Sequence, residues 1–201
     1  MLILSDMDSV VADWDTGYDN LLDSLGSRAS RLPRRNDRQV FNLHDGLGPR
    51  QSGIVRRVMD TPGFYADLPL IEGAAEALNG MLAAGHDVML CSSPWLSNPT
   101  CASDKYDWAE RMLGLGWGDR VILTKDKTLV RGDILIDDKP AVKGRLAPTW
   151  RHILFDAPYN RTVTNLTRLS RWSDWEVTLW EESLASEESS RQVRTPLRTT
   201  S

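Results

Sequence analysis

Short unbroken apolar runs, too brief for a buried helix, recur along this chain between longer segments with helical spacing. The first is Met1-Leu-Ile-Leu-Ser5 and the second is Asp87-Val-Met-Leu-Cys91. Arg120 to Leu123, Asp133 to Ile136 and Arg151 to Phe155 repeat the pattern. Such runs read as strands buried on both faces. Between them, Trp14 to Leu25, Ser52 to Met59, Glu72 to Ala84, Asp104 to Leu113 and Trp172 to Glu182 read as helices, with Gly85 as a stop for the third. Alternating strands and helices predict an α/β fold of three layers, a Rossmann-like parallel sheet covered on both faces. The 201 residues, 41% of them hydrophobic, suffice for one sizeable domain with a small insert. Residues from about 183 onward are rich in Ser, Thr, Arg and Glu and read as a disordered tail.

Charge and composition narrow the function classes. A formal charge of −4 argues against a nucleic-acid polymer as partner, whereas a small anion needs only a few local cations. The two cysteines, Cys91 and Cys101, lack a CxxC spacing, and His44, His86 and His152 are scattered, which excludes a zinc-finger pattern and a disulfide framework. No apolar run is long enough for a membrane span. Asp6, Asp8, Asp13 and Asp15 interrupt any signal-peptide pattern, so the expected location is cytoplasmic.

In sheets of this kind ligands bind beyond the carboxyl ends of the strands. The reactive side chains fall there. Asp6 and Asp8 follow the first run, and residues two apart in extended chain point to the same side. Two carboxylates so placed repel unless a cation or a shared proton intervenes, and a hard divalent ion such as magnesium is a natural solution. The alternative for the pair alone is a solvated turn. Asp137 and Asp138 follow the fourth run and read either as part of a metal cage or as a loop or helix cap. Ser92-Ser93-Pro94 follows the second, where a hydroxyl and free N–H groups hold a phosphate oxygen or simply make a serine turn. Lys105, Lys125 and Lys127 are candidate anion ligands, with solvated lysines as the alternative. Two acidic pairs at two strand ends favour a metal site.

These segments resemble the haloacid dehalogenase-like (HAD) hydrolase superfamily in four motifs taken in order: Asp6-Met-Asp-Ser-Val10, Leu90-Cys-Ser-Ser-Pro94, Lys105 and Leu135-Ile-Asp-Asp138. More closely, the chain resembles the 5'(3')-deoxyribonucleotidases from about residue 2 to residue 182. The carriers are Asp6 to Asp13, Cys91 to Pro94, Asp104 to Trp108, Val121 to Thr128, Asp133 to Pro140 and Pro148 to Phe155. The resemblance implies a magnesium-dependent phosphatase acting on a small nucleoside monophosphate, with no nucleic-acid polymer and no membrane, and with a homodimer left open. Asp6 would attack phosphorus and Asp8 would act as acid and base. The resemblance assigns the magnesium to the Asp6 carboxylate, the Asp8 carbonyl and Asp138, with Asp137 nearby. Ser92 and Lys105 would grip the phosphoryl oxygens.

The resemblance further implies a HAD-like core of residues 1–15 and 71–182 and a small helical cap, 16–70, inserted after the first strand. Trp14, Phe41 and Tyr65 match aromatic residues that enclose the base, and ordinary cap packing is the alternative for them. Ser93, Lys125 and Lys127 match nucleotide-contacting positions. Three positions depart from the pattern: Ser9 replaces a usual Gly, Lys125 a usual Arg, and Asn42 an aromatic. The run Arg28, Arg31, Arg34, Arg35 and Arg38 reads as a solvated face or as a device that steers anions.

Overall fold

The computed structural model describes residues 1–26 and 32–193. Arg28 and Arg31 lie outside them, as do residues 194–201 of the expected tail. Among the described residues, six strands make one sheet: β1 (Leu2–Ser5), β2 (Asp87–Ser92), β3 (Val121–Leu123), β4 (Ile134–Asp137), β5 (Arg151–Phe155) and β6 (Arg168–Leu169). The order is β3-β2-β1-β4-β5-β6, and every pairing is parallel. Central β1 sets Leu2 against Asp87 and Ile3 against Ile134. The chain winds away from β1 in one direction and away from β4 in the other. Their carboxyl ends therefore open a crevice between them. Asp6 and Asp138 stand on its two sides.

Among the described residues, five α-helices accompany the sheet: α1 (Trp14–Ser24), α2 (Pro49–Asp60), α3 (Ala74–Ala83), α4 (Cys101–Leu113) and α5 (Trp175–Val193). Asp13 caps α1 by accepting from the Thr16 amide at 3.0 Å and the Thr16 hydroxyl at 2.9 Å. Pro49 opens α2, three residues before the expected start. Gly85, in the left-handed region at φ 85°, follows α3 as the sequence predicts. In the chain, α1 and α2 lie between β1 and β2.

Alternation along the strands sends Ile3, Val88, Leu90, Ile134 and Ile153 to one face, where side chains of α3, α4 and α5 join them. On the other face Leu4, Cys91 and Leu135 pack against Trp150, flanked by Val130 and Val142. Helices thus cover one face, and the irregular chain between β3 and β5 covers the other. No described helix is long and apolar enough to cross a membrane.

Two readings of the elements need correction. β6 has no counterpart in the sequence pattern, because two residues carry no periodicity. Residues 172–174 form a 3-10 turn, and α5 starts at Trp175 and continues to Val193, beyond the expected end at Glu182. Its Glu-, Ser-, Arg- and Gln-rich continuation lacks glycine and proline, so a helix anchored at Trp175 has nothing to stop it.

Candidate active site

The loop leaving β1 is a tight turn. The Met7 carbonyl accepts the amides of Val10, Val11 and Ala12 at 3.2, 2.9 and 2.8 Å, and the Ser9 amide returns to the Ala12 carbonyl at 2.8 Å. This closure forces Ser9 to φ 63°, the one non-glycine residue with positive φ among those described. A glycine adopts that region freely, which gives the Ser9 departure its physical meaning. The Asp6 amide donates to the Ile136 carbonyl at 2.8 Å, tying the loop to β4.

Each carboxylate of the Asp6-Met7-Asp8 triplet has its own lysine. The Lys105 ammonium, on buried α4 surface, lies 2.6 Å from Asp8 Oδ1. The Lys127 ammonium lies 2.9 Å from Asp6 Oδ2 and 2.6 Å from Asp137 Oδ2. Burial alone would push the Lys127 ammonium down, but Asp137 and Asp6 outweigh it and hold it above the usual lysine range. Burial pushes the Asp6 carboxyl up to about 6, against the pull of Lys127. The sequence suggests Lys105 as a phosphoryl ligand and Lys127 as a nucleotide contact. The geometry gives the Asp6 pairing to Lys127 and leaves Lys105 to Asp8. The order of the lysines along the chain does not reveal which one the β3–β4 connection folds inward.

Oxygens of Asp6, Asp137 and Asp138 gather within 4.8 Å of one another. An all-oxygen, anionic, buried donor set of this kind fits a hard divalent cation. Asp137 is already engaged by Lys127 and by the Lys139 amide at 2.9 Å. Asp138 accepts the Tyr159 hydroxyl on Oδ2, and its other oxygen meets no donor among the described residues. Burial, then Asp137 and Asp6, push the Asp138 carboxyl well above the usual value. Facing this group, Ser92 Oγ is buried and makes no hydrogen bond among the described residues. A buried hydroxyl without a partner is rare and points to a ligand.

Above the carboxylates lies a cleft of about 230 Å³. Core residues Asp6, Asp8, Ser92, Ser93 and Asp138 form its floor. Trp14, Phe41, His44, Met59 and Trp95 supply most of its apolar wall. Trp14 and Phe41 thus line the cleft. Tyr65 does not line the cleft; its buried ring underlies the Lys105 ammonium, 5.0 Å from the centroid. Ser93 lines the floor, and its hydroxyl donates to the Thr124 carbonyl at 2.9 Å. Lys125 turns outward to the Pro94 carbonyl at 3.1 Å. Asn42 bonds Asp45 at 3.0 Å and accepts from the His44 amide at 3.2 Å, so it braces the turn that presents His44. His44 and Trp95 face each other at 6.4 Å with planes 17° apart, and Asp60 fixes Trp95 through its indole N–H at 2.6 Å.

Of the arginine run, Arg34 and Arg35 pair with acids of α1 or its cap: Arg34 lies 2.8 Å from Asp23 and Arg35 2.7 Å from Asp13. Arg38 is 7% exposed and lines the cleft. It is not part of a solvated face. Sequence reasoning missed Arg38, Tyr159, His44 and Trp95 as site residues. Each earns its place through tertiary contact, and nothing in its local sequence marks it.

Comparison with known proteins agrees with this geometry. A family profile described as "5' nucleotidase, deoxy (Pyrimidine), cytosolic type C protein" matches residues 1–182. A Bordetella bronchiseptica protein with the provisional name 5'(3')-deoxyribonucleotidase is 43% identical over 177 residues, covering 87% of this chain and 93% of that protein. The human "5'(3')-deoxyribonucleotidase, cytosolic type" is 37% identical over 200 residues, covering 94% and 96%. Among solved structures, a HAD family hydrolase from Deinococcus radiodurans, crystallised with phosphate and sodium, superposes with a TM-score of 0.54 at 18% identity over 91% of this chain and 96% of that one, a likeness of fold. A parallel sheet with acids and lysines at its switch point and these relatives lead to one conclusion: the chain belongs to the 5'(3')-deoxyribonucleotidase family.

Proposed function

We propose that this protein hydrolyses deoxyribonucleoside 5'-monophosphates, and 3'-monophosphates, with magnesium and through an aspartyl-phosphate on Asp6. The observation that carries the reading is the separate pairing of two neighbouring carboxylates, Asp6 with Lys127 and Asp8 with Lys105, beneath one cleft. Two carboxylates in different surroundings suit two different roles.

Asp6 attacks phosphorus, and the ester oxygen leaves as Asp8 delivers a proton to it. Asp8 then takes a proton from water, which attacks the aspartyl-phosphate and frees Asp6. Ser92 Oγ donates to one phosphoryl oxygen, and Lys105 lies near enough to Asp8 to face another. Lys127 keeps Asp6 ionised and aimed by holding it against Asp137. Asp6, the Asp8 carbonyl and Asp138 would hold magnesium, which when bound supplies charge neutralisation on the phosphoryl oxygens. Residues 16–70 act as the cap, and Trp14, Phe41, His44 and Trp95 line the space left for the base. Their apolar character favours a base over the hydroxyl-rich body of a sugar phosphate.

The test is phosphate release from dUMP, dTMP and a panel of sugar phosphates, with magnesium and with EDTA, on wild type and Asp6→Asn. Release from the deoxyribonucleotides with magnesium alone, abolished in Asp6→Asn, is the expected result. Retained turnover in Asp6→Asn would remove Asp6 as nucleophile, and preference for sugar phosphates would overturn the substrate class.

A further inference from the structure

Asp138 is held from one side by a single turn, Pro158–Asn160, that follows β5. The Tyr159 hydroxyl donates to Asp138 Oδ2. The Asn160 side-chain Nδ2 donates to the Asp138 main-chain carbonyl at 2.8 Å and to the Phe155 carbonyl at 2.8 Å. Both the side chain and the backbone of Asp138 are therefore oriented by this turn, and all three residues are buried.

The far side of Tyr159 belongs to the cap. The Arg38 guanidinium lies over the Tyr159 ring at 4.2 Å, and the edge of Phe41 meets the same ring at 5.9 Å between centroids. Each nitrogen of the Arg38 guanidinium has a partner nearby in the chain or on α1. It donates to Asp15 at 2.7 Å, to the Phe41 carbonyl at 2.5 Å and to the Val40 carbonyl at 3.2 Å. Trp14 and Phe41 cover it at 5.3 and 5.9 Å. These contacts fix the guanidinium, which also lines the cleft. Its contacts make it a fastener between the cap loop, the first turn of α1 and Tyr159.

We infer that Tyr159 is a positioning residue for Asp138, and that Arg38 seats Tyr159 from the cap, so that the cap loop and the cation-facing carboxylate are ordered together. The inference rests on the reading that Asp138 holds a divalent cation. Partners that orient a metal-binding carboxylate typically change metal affinity by about 10- to 100-fold. If the cap loop and the carboxylate share one seat, a ligand that orders the loop must tighten the cation, and the cation must tighten that ligand by the same factor.

The experiment measures manganese binding by electron paramagnetic resonance on substrate-free protein, for wild type, Asp138→Asn, Tyr159→Phe and Arg38→Met. Thermal melts establish that each variant is folded. Tyr159→Phe removes only the donating oxygen and should weaken manganese by about 10-fold or more. Added magnesium should restore its turnover, with substrate KM unchanged at saturating metal. A turnover defect that metal does not restore, or unchanged affinity, would overturn the role of Tyr159.

Arg38→Met separates seating from simple charge. Removing a nearby positive charge should by itself tighten a cation, whereas loss of the seat should weaken it several-fold. Weakening supports the inference, and tightening or no change overturns the part assigned to Arg38. Asp138→Asn keeps the two levels apart. If it leaves manganese binding intact, the cation reading itself fails; if it weakens binding while Tyr159→Phe does not, only the positioning inference fails.

Discussion

Lys105 and Asp8 meet at 2.6 Å although 97 positions separate them in the chain. The contact joins α4 to the loop after β1, and Lys105 is almost wholly buried. A buried ammonium with one carboxylate partner has little freedom to point elsewhere. Lys105→Met should lower kcat by about 100- to 1,000-fold, the range seen when one preorganised charge is removed from a reacting centre. Steady-state phosphate release on the variant checks this.

Lys127 offers a contrast. It neutralises Asp6 and Asp137 together, so Lys127→Met leaves buried carboxylates without their counter-ion. Breaking a buried pair from one side destabilises by about 3–5 kcal/mol. Denaturant unfolding without metal should register a loss of that order, and magnesium should recover part of it by supplying charge at Asp6.

The raised Asp6 carboxyl sets the pH dependence of the metal-free protein. Its folded value of about 6 lies above the usual 3.8, so the folded protein keeps a proton that the unfolded chain releases. Stability from this group therefore falls as pH rises between those two values. A cation at the same carboxylates competes with that proton. The rise in Tm on adding magnesium should be larger near pH ~7.5 than near pH ~5. Calorimetry at both pH values, with and without the ion, gives the comparison; an equal or reversed rise would contradict it.

Ser9 adopts φ 63° because the Met7 carbonyl gathers three following amides. A left-handed conformation strains a residue with a Cβ by about 1–2 kcal/mol. The added freedom of glycine in the unfolded chain offsets part of that gain. Ser9→Gly should stabilise by about 0.5–1 kcal/mol in urea unfolding. Destabilisation would mean that the Ser9 side chain makes a contribution beyond the turn.

Gly144 supports the site from a distance. A Cβ at this position would stand 1.8 Å from Asp126 Oδ1 and 2.3 Å from Thr128 Oγ1. Those two residues brace the turn that carries Lys127, and the Asp126 carboxylate also accepts the Arg145 amide at 2.9 Å. Gly144→Ala should displace the turn, destabilise by about 1–3 kcal/mol as overpacking does, and reduce kcat although residue 144 touches no substrate. Paired melting and turnover measurements test both halves.

The strands and their reactive ends were legible because a short apolar run and the carboxylate or hydroxyl after it are local facts. Asp6, Asp8, Ser92 and Asp138 could be located in that way. The pairing of the lysines could not, since Thr124-Lys-Asp-Lys127 carries no mark of which side chain turns inward. Tyr65 looks like a base contact by position, but the fold brings its ring beneath Lys105. Arg38 stands in a run of arginines that reads as surface, and only the fold brings three aromatic rings around it. The covering of the second sheet face by Trp150 and irregular chain was equally hidden, because it has no helical period.

Central β1 has a consequence for how the chain acquires its shape. Leu2 finds its neighbour at Asp87, and Ile3 finds its other neighbour at Ile134. The strand that leads in sequence is flanked only after β4 has been made. Contacts of such long sequence separation slow folding, because loop-closure entropy opposes them until late. During synthesis β1 has no sheet neighbour until α1, α2 and α3 have emerged and β2 follows them, and its other side stays open until β4. Asp6 and Asp138 can meet across the crevice only after that second pairing, so their meeting is a late act of maturation.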